Sequence, residues 1–332
     1  MKKIKETSLT GKRILLLYAR FFGYDKIVKE KLENLGAIVD LYDARANIST
    51  VEKAIKKVDS RYYYKKQRKF HHNIQLENKG KKYDFIFSNE NIGEVTLRGY
   101  RKMFPDATMV LYLDDSVANM MGVNKTFHCY DRVLTFDKAD SVKYNVNFRP
   151  LFFSDSFKYL KEKNINKKYD ICFVGTCHSD RLAIISKIME TYPNYKCFFY
   201  CYLQSWFMYY YYAFKDVEYR KKSKKFFKYD QISMDQVALE MAHSEAILDI
   251  QHPKQTGLTM RTIETLGLGK KIITTNSDIR NYDFYNERNV LVVDRENPVI
   301  PEGFIKCNYE SPSEELYHKY SITGWIEDVF KK

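Results

Sequence analysis

Within QTGLTMRTIETLGLGKK, Gln255 to Lys271, an arginine and a glutamate stand three residues apart on a short segment punctuated by glycines. If a helix starts near Thr259, Arg261 lies in its first turn and Glu264 follows on the same face, so both can address one ligand. A guanidinium offers phosphate a forked, permanently charged contact, and a carboxylate accepts from the two vicinal hydroxyls of a ribose. The plainer alternative is a surface ion pair worth roughly a few tenths of a kcal/mol. Gly257 and Thr259 before the helix, with Gly267 and Gly269 at its far end, favour close backbone approach and a tight exit, which points to a site. The GxxxxGK[ST] spacing of a P-loop is absent.

A second candidate is VGTCHSDR, Val174 to Arg181, where glycine and small polar residues join a strand to a helix. A diphosphate can rest there on backbone N–H groups, with Gly175, Thr176 and His178 in the turn and His178 able to donate to developing charge. An ordinary strand-to-helix turn with Ser179 as N-cap accounts for the same residues. The third is LDD, Leu113 to Asp115, at the end of an apolar run. Asp114 or Asp115 can act as general base on an acceptor hydroxyl, or both can simply cap the next helix. Adjacent residues point apart, so only one can take the base role. Of the other histidines, His71, His72 and His128 read as surface or loop residues and His243 as a structural helix residue.

These segments need elements to hold them. RILLLYA reads as a buried strand, followed by a helical period through Ile27, Val28, Lys31, Leu32 and Leu35 and then the strand AIVDLYD. The alternation returns in YDFIFSNE, MVLYLDD and YDRVLTFD, which predicts a parallel sheet covered on both faces over residues 1–150. From Arg149 to Lys168 the lysine-rich RPLFFSDSFKYLKEKNINKK reads as a crossing between domains. A second series over 151–312 contains YDICFVGT, a helix from about Asp180 to Tyr192, KCFFYCYL, a helix after Ser233 opened by the capping-box sequence SMDQ, AILDIQ, the Arg261 helix and KIITT. The last residues, 313–332, form a helical segment expected to pack back on the first domain.

The 332 residues carry a net charge of +13, and 45% of them are hydrophobic, which excludes a disordered chain and calls for an anionic partner. No run approaches the roughly 20 apolar residues of a membrane span. The N-terminal lysines precede too short an apolar run for a signal peptide, so a cytoplasmic location is expected. Six scattered cysteines lack the spacing of a zinc site or disulfide scaffold and read mostly as buried thiols. No DxD metal motif is present. Two segments, VEKAIKKVDSRYYYKKQRKFHH and WFMYYYYAFKDVEYRKKSKKFFKY, interleave basic and aromatic residues. The first places Val51, Ile55, Val58 and Tyr62 on one face. Together they point to a peripheral membrane surface, and composition alone leaves single-stranded nucleic acid open.

GLTMRTIETLGLGKKIITTN resembles the C-terminal signature of bacterial GT-B glycosyltransferases of the CgeB-like (spore maturation protein) group, and VLYLDDS, YDRVLTFDKAD and YDICFVGT resemble that group's segments in the same order. The resemblance spans about Leu111 to Asp283. It implies an α/β fold of two Rossmann-like domains facing each other across a cleft, with a nucleotide-sugar on the second domain and the acceptor on the first. By similarity Glu264 holds the donor ribose, while Arg261 and the Gly175 to His178 turn hold the diphosphate, with no cofactor and no metal. Many retaining members carry a glutamate eight positions before the ribose-binding one, where this chain has Thr256, so the stereochemical outcome stays open. The expected activity is transfer of a sugar to a hydroxyl of a surface glycan (capsule, lipopolysaccharide or exopolysaccharide), lipid-linked, at an anionic membrane surface on the inner face. The rivals are a nucleotide-sugar epimerase on the same scaffold and a basic nucleic-acid-binding protein; no nucleic-acid module is recognisable, so no nucleic-acid partner is expected.

Overall fold

The computed structural model describes residues 9–48, 52, 60–163, 165–253 and 257–331. The chain divides into two units, Met1–Pro150 with Ile322–Lys332, and Leu151–Ser321. In the first, β1 (Arg13–Leu17), β2 (Ile38–Tyr42), β3 (Phe85–Ser88), β4 (Thr108–Leu113), β5 (Arg132–Thr135) and β6 (Asn147–Phe148) form one sheet in the order β2-β1-β3-β4-β5-β6. Every pairing is parallel. Parallel neighbours need crossovers, and the helices Tyr24–Asn34, Ser60–Glu77, Glu94–Met103 and Lys138–Tyr144 lie in these connections. Continuous apolar text such as FIFS and MVLYL is buried throughout, as a sheet covered on both faces requires.

The second unit repeats the plan with a different order. Its strands are β7 (Tyr169–Thr176), β8 (Cys197–Tyr202), β9 (Phe227–Lys228), β10 (Ser244–Asp249), β11 (Lys271–Thr274) and β12 (Val290–Val292), arranged β12-β11-β10-β7-β8-β9, again all parallel. The connection direction reverses between β1 and β3 in the first sheet and between β7 and β10 in the second. Crevices beyond the carboxyl ends of strands at such reversals are where open α/β sheets take ligands.

The segment 313–332 is two helices rather than one: Glu314–Tyr320 belongs to the second unit, and only Ile322–Val329 to the first. Trp325 is fully buried with its ring edge-on to Tyr112 at 5.0 Å, and Phe330 meets Phe85 at 5.5 Å. Arg132 donates to the carbonyls of Asp328, Val329 and Lys331 at 2.6, 3.1 and 2.6 Å, which satisfies acceptors that a helix end leaves open. Part of the stretch expected to be a crossing is itself helical, Asp155–Glu162, with Phe157 buried. Ser233 caps its helix by accepting from Gln236 N at 3.2 Å, but the reciprocal half of the box is not made because the Gln236 side chain donates to Glu240 instead.

Three expectations need correction. His71 is fully buried rather than superficial: on the Ser60–Glu77 helix it meets Tyr100 Oη at 3.0 Å and the Ala44 carbonyl at 3.1 Å, and burial pushes its pKa down to about 4. Tyr62 is half exposed and donates to Glu52 at 3.3 Å instead of lining an apolar face; Val51, Ile55 and Val58 lie outside the described residues. All six cysteines are free, with Cys172, Cys177 and Cys201 buried and the other three partly exposed.

Candidate functional site

In the second unit, β7 delivers Gly175 and Thr176 to the carboxyl edge, and the turn continues through Cys177, His178 and Ser179. Ser179 adopts φ 54°, in the left-handed region, and the N-cap of the Arg181–Thr191 helix is Asp180, so Ser179 is not the cap. Arg181 ties together the two strand ends that flank the reversal, donating to Thr176 O at 2.9 Å and to Ile250 O at 2.8 Å. The Asp180 carboxylate receives a forked contact from Arg295 at 2.7 and 2.9 Å, which holds its pKa below the usual range. Arg295 also donates to Thr275 Oγ1 and to Gln251 O, both at 2.9 Å. His178 and His252 lie 5.8 Å apart between ring centroids. Burial first, then the Arg181 and His252 charges, push the His178 pKa down to about 4, so at neutral pH it is an uncharged donor and acceptor.

Beyond β10, Thr259 caps the helix Met260–Leu268, accepting from Thr262 N at 3.2 Å and donating to the Asp249 carboxylate at 2.9 Å. Thr262 donates to that carboxylate as well. Two of the glycines serve this helix directly. A Cβ on Gly267 would stand 2.5 Å from Phe153 Cγ, so the helix packs here through its backbone, and Gly269 ends it at φ 63°. Gly257 is buried, and its carbonyl accepts from Asn276 Nδ2 at 3.4 Å.

Arg261 and Glu264 are neither a surface pair nor two separate groups open to solvent. They bind each other at 2.8 Å, with Glu264 only 2% exposed and Arg261 20%. The same guanidinium lies against the Met241 thioether and 3.4 Å from Val174 O, one residue before Gly175. Arg261 therefore brings the helix and the β7 turn to one place. Thr256, which bears on stereochemistry, lies outside the described residues.

In the first unit, Asn89 after β3 joins three strand ends: it donates to Asp114 Oδ2 at 2.8 Å beyond β4 and accepts from Ala19 N at 2.8 Å beyond β1. Asp114 is half buried, and desolvation raises its pKa to about 7, with Glu90 and Asp115 adding to the rise and the Asn89 hydrogen bond opposing it. Asp115 is exposed and engaged in the next turn, accepting from Ser116 N at 2.8 Å and Asn119 Nδ2 at 2.9 Å. The two aspartates thus divide into a carboxyl poised near neutrality and a turn-forming carboxylate.

The residues added by the structure are Arg181, Arg295 and Asn89. Arg181 was legible as the last residue of the glycine turn. Arg295 carries no local signal, because its partners Asp180 and Gln251 are far away in sequence.

No family model matches the chain, and no curated protein matches it. Among solved structures it is similar to apo OtsA (TM-score 0.64, 8% identity, 97% of this chain and 100% of that one). It is also similar to Anabaena HepE in complex with UDP and glucose (TM-score 0.54, 10% identity, 96% and 95% covered). A third is the apo lipopolysaccharide outer core galactosyltransferase WaaB (TM-score 0.50, 12% identity, 96% of each). At these identities the likeness shows the fold alone, which is GT-B with two Rossmann-like domains.

Proposed function

We propose that this chain is a glycosyltransferase that moves a sugar from a nucleotide-sugar to a hydroxyl of a surface glycan. The observation that supports the proposal is that Arg261, paired with Glu264, lies 3.4 Å from Val174 O, one residue before Gly175, beside the reversal point of the second sheet. The diphosphate lies at the His178 end of the Gly175 to His178 turn, since Cys177 N already donates to Tyr202 O at 2.8 Å, and takes the forked contact of Arg261, and Glu264 accepts from the ribose. Donor binding therefore exchanges the internal Arg261–Glu264 contact for two ligand contacts. Neutral His178 donates to the leaving diphosphate, and Arg181 adds positive potential, which makes a divalent ion unnecessary.

The acceptor hydroxyl gives its proton to Asp114, its oxygen bonds to the anomeric carbon, and the bond from that carbon to the diphosphate breaks. A carboxyl with a pKa of about 7 suits this work near neutral pH. A surface-glycan acceptor, lipid-linked, is supported by the CgeB-like segments. The proposed reaction takes place in the cytoplasm, at the inner face of the cell membrane. Among the described residues no helix is long and apolar enough to cross a membrane.

Thermal-shift screening against UDP, GDP, CDP, dTDP and their sugars tests the donor half, since a ligand at about 100 times its dissociation constant stabilises by about 2.7 kcal/mol. A shift with one nucleotide series supports the proposal, and no shift with any sinks it. Incubation with the donor alone separates transfer, which leaves the sugar unchanged, from epimerisation, which converts it.

A further inference from the structure

The helix Trp206–Lys215 inverts the usual amphipathic pattern. Its inner face, Tyr209, Tyr212 and Ala213, packs on the second unit's core, where Tyr212 stacks on Tyr219 at 5.0 Å and Tyr209 meets Phe227 at 5.6 Å. Its outer face is also aromatic: Trp206, Phe207, Tyr210, Tyr211 and Phe214 recur at helical spacing, with Phe214 85%, Phe207 66% and Trp206 58% exposed. A helix that is apolar all round is normally buried. Here one side faces water, and a contiguous exposed aromatic face of this kind marks an interaction surface.

The charge beside it selects the occupant. Between Ser205 and Asp230 the chain has seven basic and three acidic side chains, and Arg220, Lys221, Lys224, Lys225 and Lys228 are exposed. Lys215 Nζ lies 2.5 Å from Tyr211 Oη and Lys224 Nζ 2.7 Å from Tyr210 Oη, so ammonium groups and phenol hydroxyls gather beside the wholly apolar Phe207 and Phe214. Apolar rings next to tyrosine hydroxyls and lysines match the order of a bilayer interface, from acyl chains through headgroups to phosphates. A single-stranded nucleic acid would instead stack its bases between aromatic platforms along a basic groove, whereas among the described residues the cations on this helix's rings are Lys215 on Tyr211 and Lys224 on Tyr210, away from the more exposed Phe207 and Phe214.

We infer that this helix face and the basic segment after it form a docking surface for an anionic phospholipid bilayer. The inference rests on the membrane setting of the proposed reaction; the exposed residues of this surface include none of those assigned to the donor, so vesicle binding and nucleotide response are read separately. The test is co-sedimentation of the full chain with vesicles of phosphatidylglycerol and phosphatidylcholine in equal parts, and with phosphatidylcholine alone. Wild type should bind the anionic vesicles, less so at high salt, and the zwitterionic ones at least about tenfold more weakly, given about 1 kcal/mol for each basic side chain at such a surface. Two variants, Trp206→Ser/Phe207→Ser/Phe214→Ser and Arg220→Gln/Lys221→Gln/Lys224→Gln/Lys225→Gln, should each lose at least about tenfold in vesicle binding while keeping the wild-type melting temperature and nucleotide response. Vesicle binding by both variants equal to wild type overturns the inference. So does an absence of vesicle binding in the wild type, whether these residues then prove to hold a poly-dT oligonucleotide or a second copy of the chain.

Discussion

The carboxyl edges of the two sheets are built from one plan and carry opposite chemistry. At the reversal point of the second sheet stand Arg181, Arg261, Arg295 and a histidine pushed down to about 4; in the first, beyond β4 and tied by Asn89 to the β1 and β3 ends that flank its reversal, stands a carboxyl raised to about 7, with Glu90 nearby. Desolvation is the largest cause of both shifts, and it works against whichever form is charged. The second edge thus holds an uncharged imidazole among arginines, suited to an anion, and the first holds a carboxylic acid that ionises near neutrality, suited to proton transfer. The contrast teaches that fold repetition in this chain does not mean repetition of role.

Breaking the first edge should have the largest effect. Asp114→Asn removes the proposed base and should lower kcat by roughly 10²–10⁴-fold with nucleoside diphosphate affinity unchanged, read by steady-state kinetics beside calorimetry. A parallel loss of nucleotide affinity would erase the distinction between the edges. Asp115→Asn, in the neighbouring turn, should leave kcat within a few-fold of wild type.

The second edge breaks differently. Glu264→Gln should weaken nucleotide and nucleotide-sugar by about 1.5–3 kcal/mol, the range for a hydrogen bond to a charged group, with turnover of bound donor largely kept. Arg261→Ala should weaken diphosphates far more than nucleosides, and Arg261→Lys should restore charge without the fork. Arg261→Ala should also lower the melting temperature, because it strands a carboxylate that is 2% exposed. The double variant Arg261→Ala/Glu264→Ala should recover part of that stability while leaving donor binding lost, which differential scanning calorimetry can read.

The pH profile sharpens the contrast. Asp114 must be ionised to accept a proton, so kcat/KM should rise with pH through about 7. Asn89→Ala removes the hydrogen bond that favours the carboxylate and should move that limb to higher pH. An unmoved limb would detach Asn89 from the base. By contrast, the His178 imidazole, followed by NMR, should stay neutral down to about pH 4 in the free protein, and a bound diphosphate should raise that value. The smallest expected effect is that of a chelator: EDTA should leave the transfer rate unchanged if side chains and helix termini alone stabilise the leaving group.

Most of the architecture was legible because its signals are local. Buried parallel strands read as unbroken apolar runs, Ser233 and Thr259 announce their helices, and the chain's division near Pro150 coincides with a change of text. The strand orders were not legible, since no local pattern encodes which neighbour a parallel strand takes. At the site, sequence brought Arg261 and Glu264 to one helix face and offered their ion pair as the plainer alternative; that the pair is buried was not legible, because its burial depends on β7 and the helix carrying Met241. Gly267 was conspicuous for a reason the sequence hides, the Phe153 ring pressed against its backbone. Buried His71 was missed because, apart from Gln67 one turn away on its own helix, its partners Ala44 and Tyr100 come from two remote segments.

The most direct measurement of the central claim is calorimetric titration of the nucleoside diphosphate selected by thermal shift into wild type, Asp114→Asn and Glu264→Gln. Equal affinity for wild type and Asp114→Asn, with at least about tenfold weaker binding by Glu264→Gln, is the predicted result. Equal affinity for all three proteins, or a loss confined to Asp114→Asn, would contradict the assignment of the second sheet's edge as the donor site.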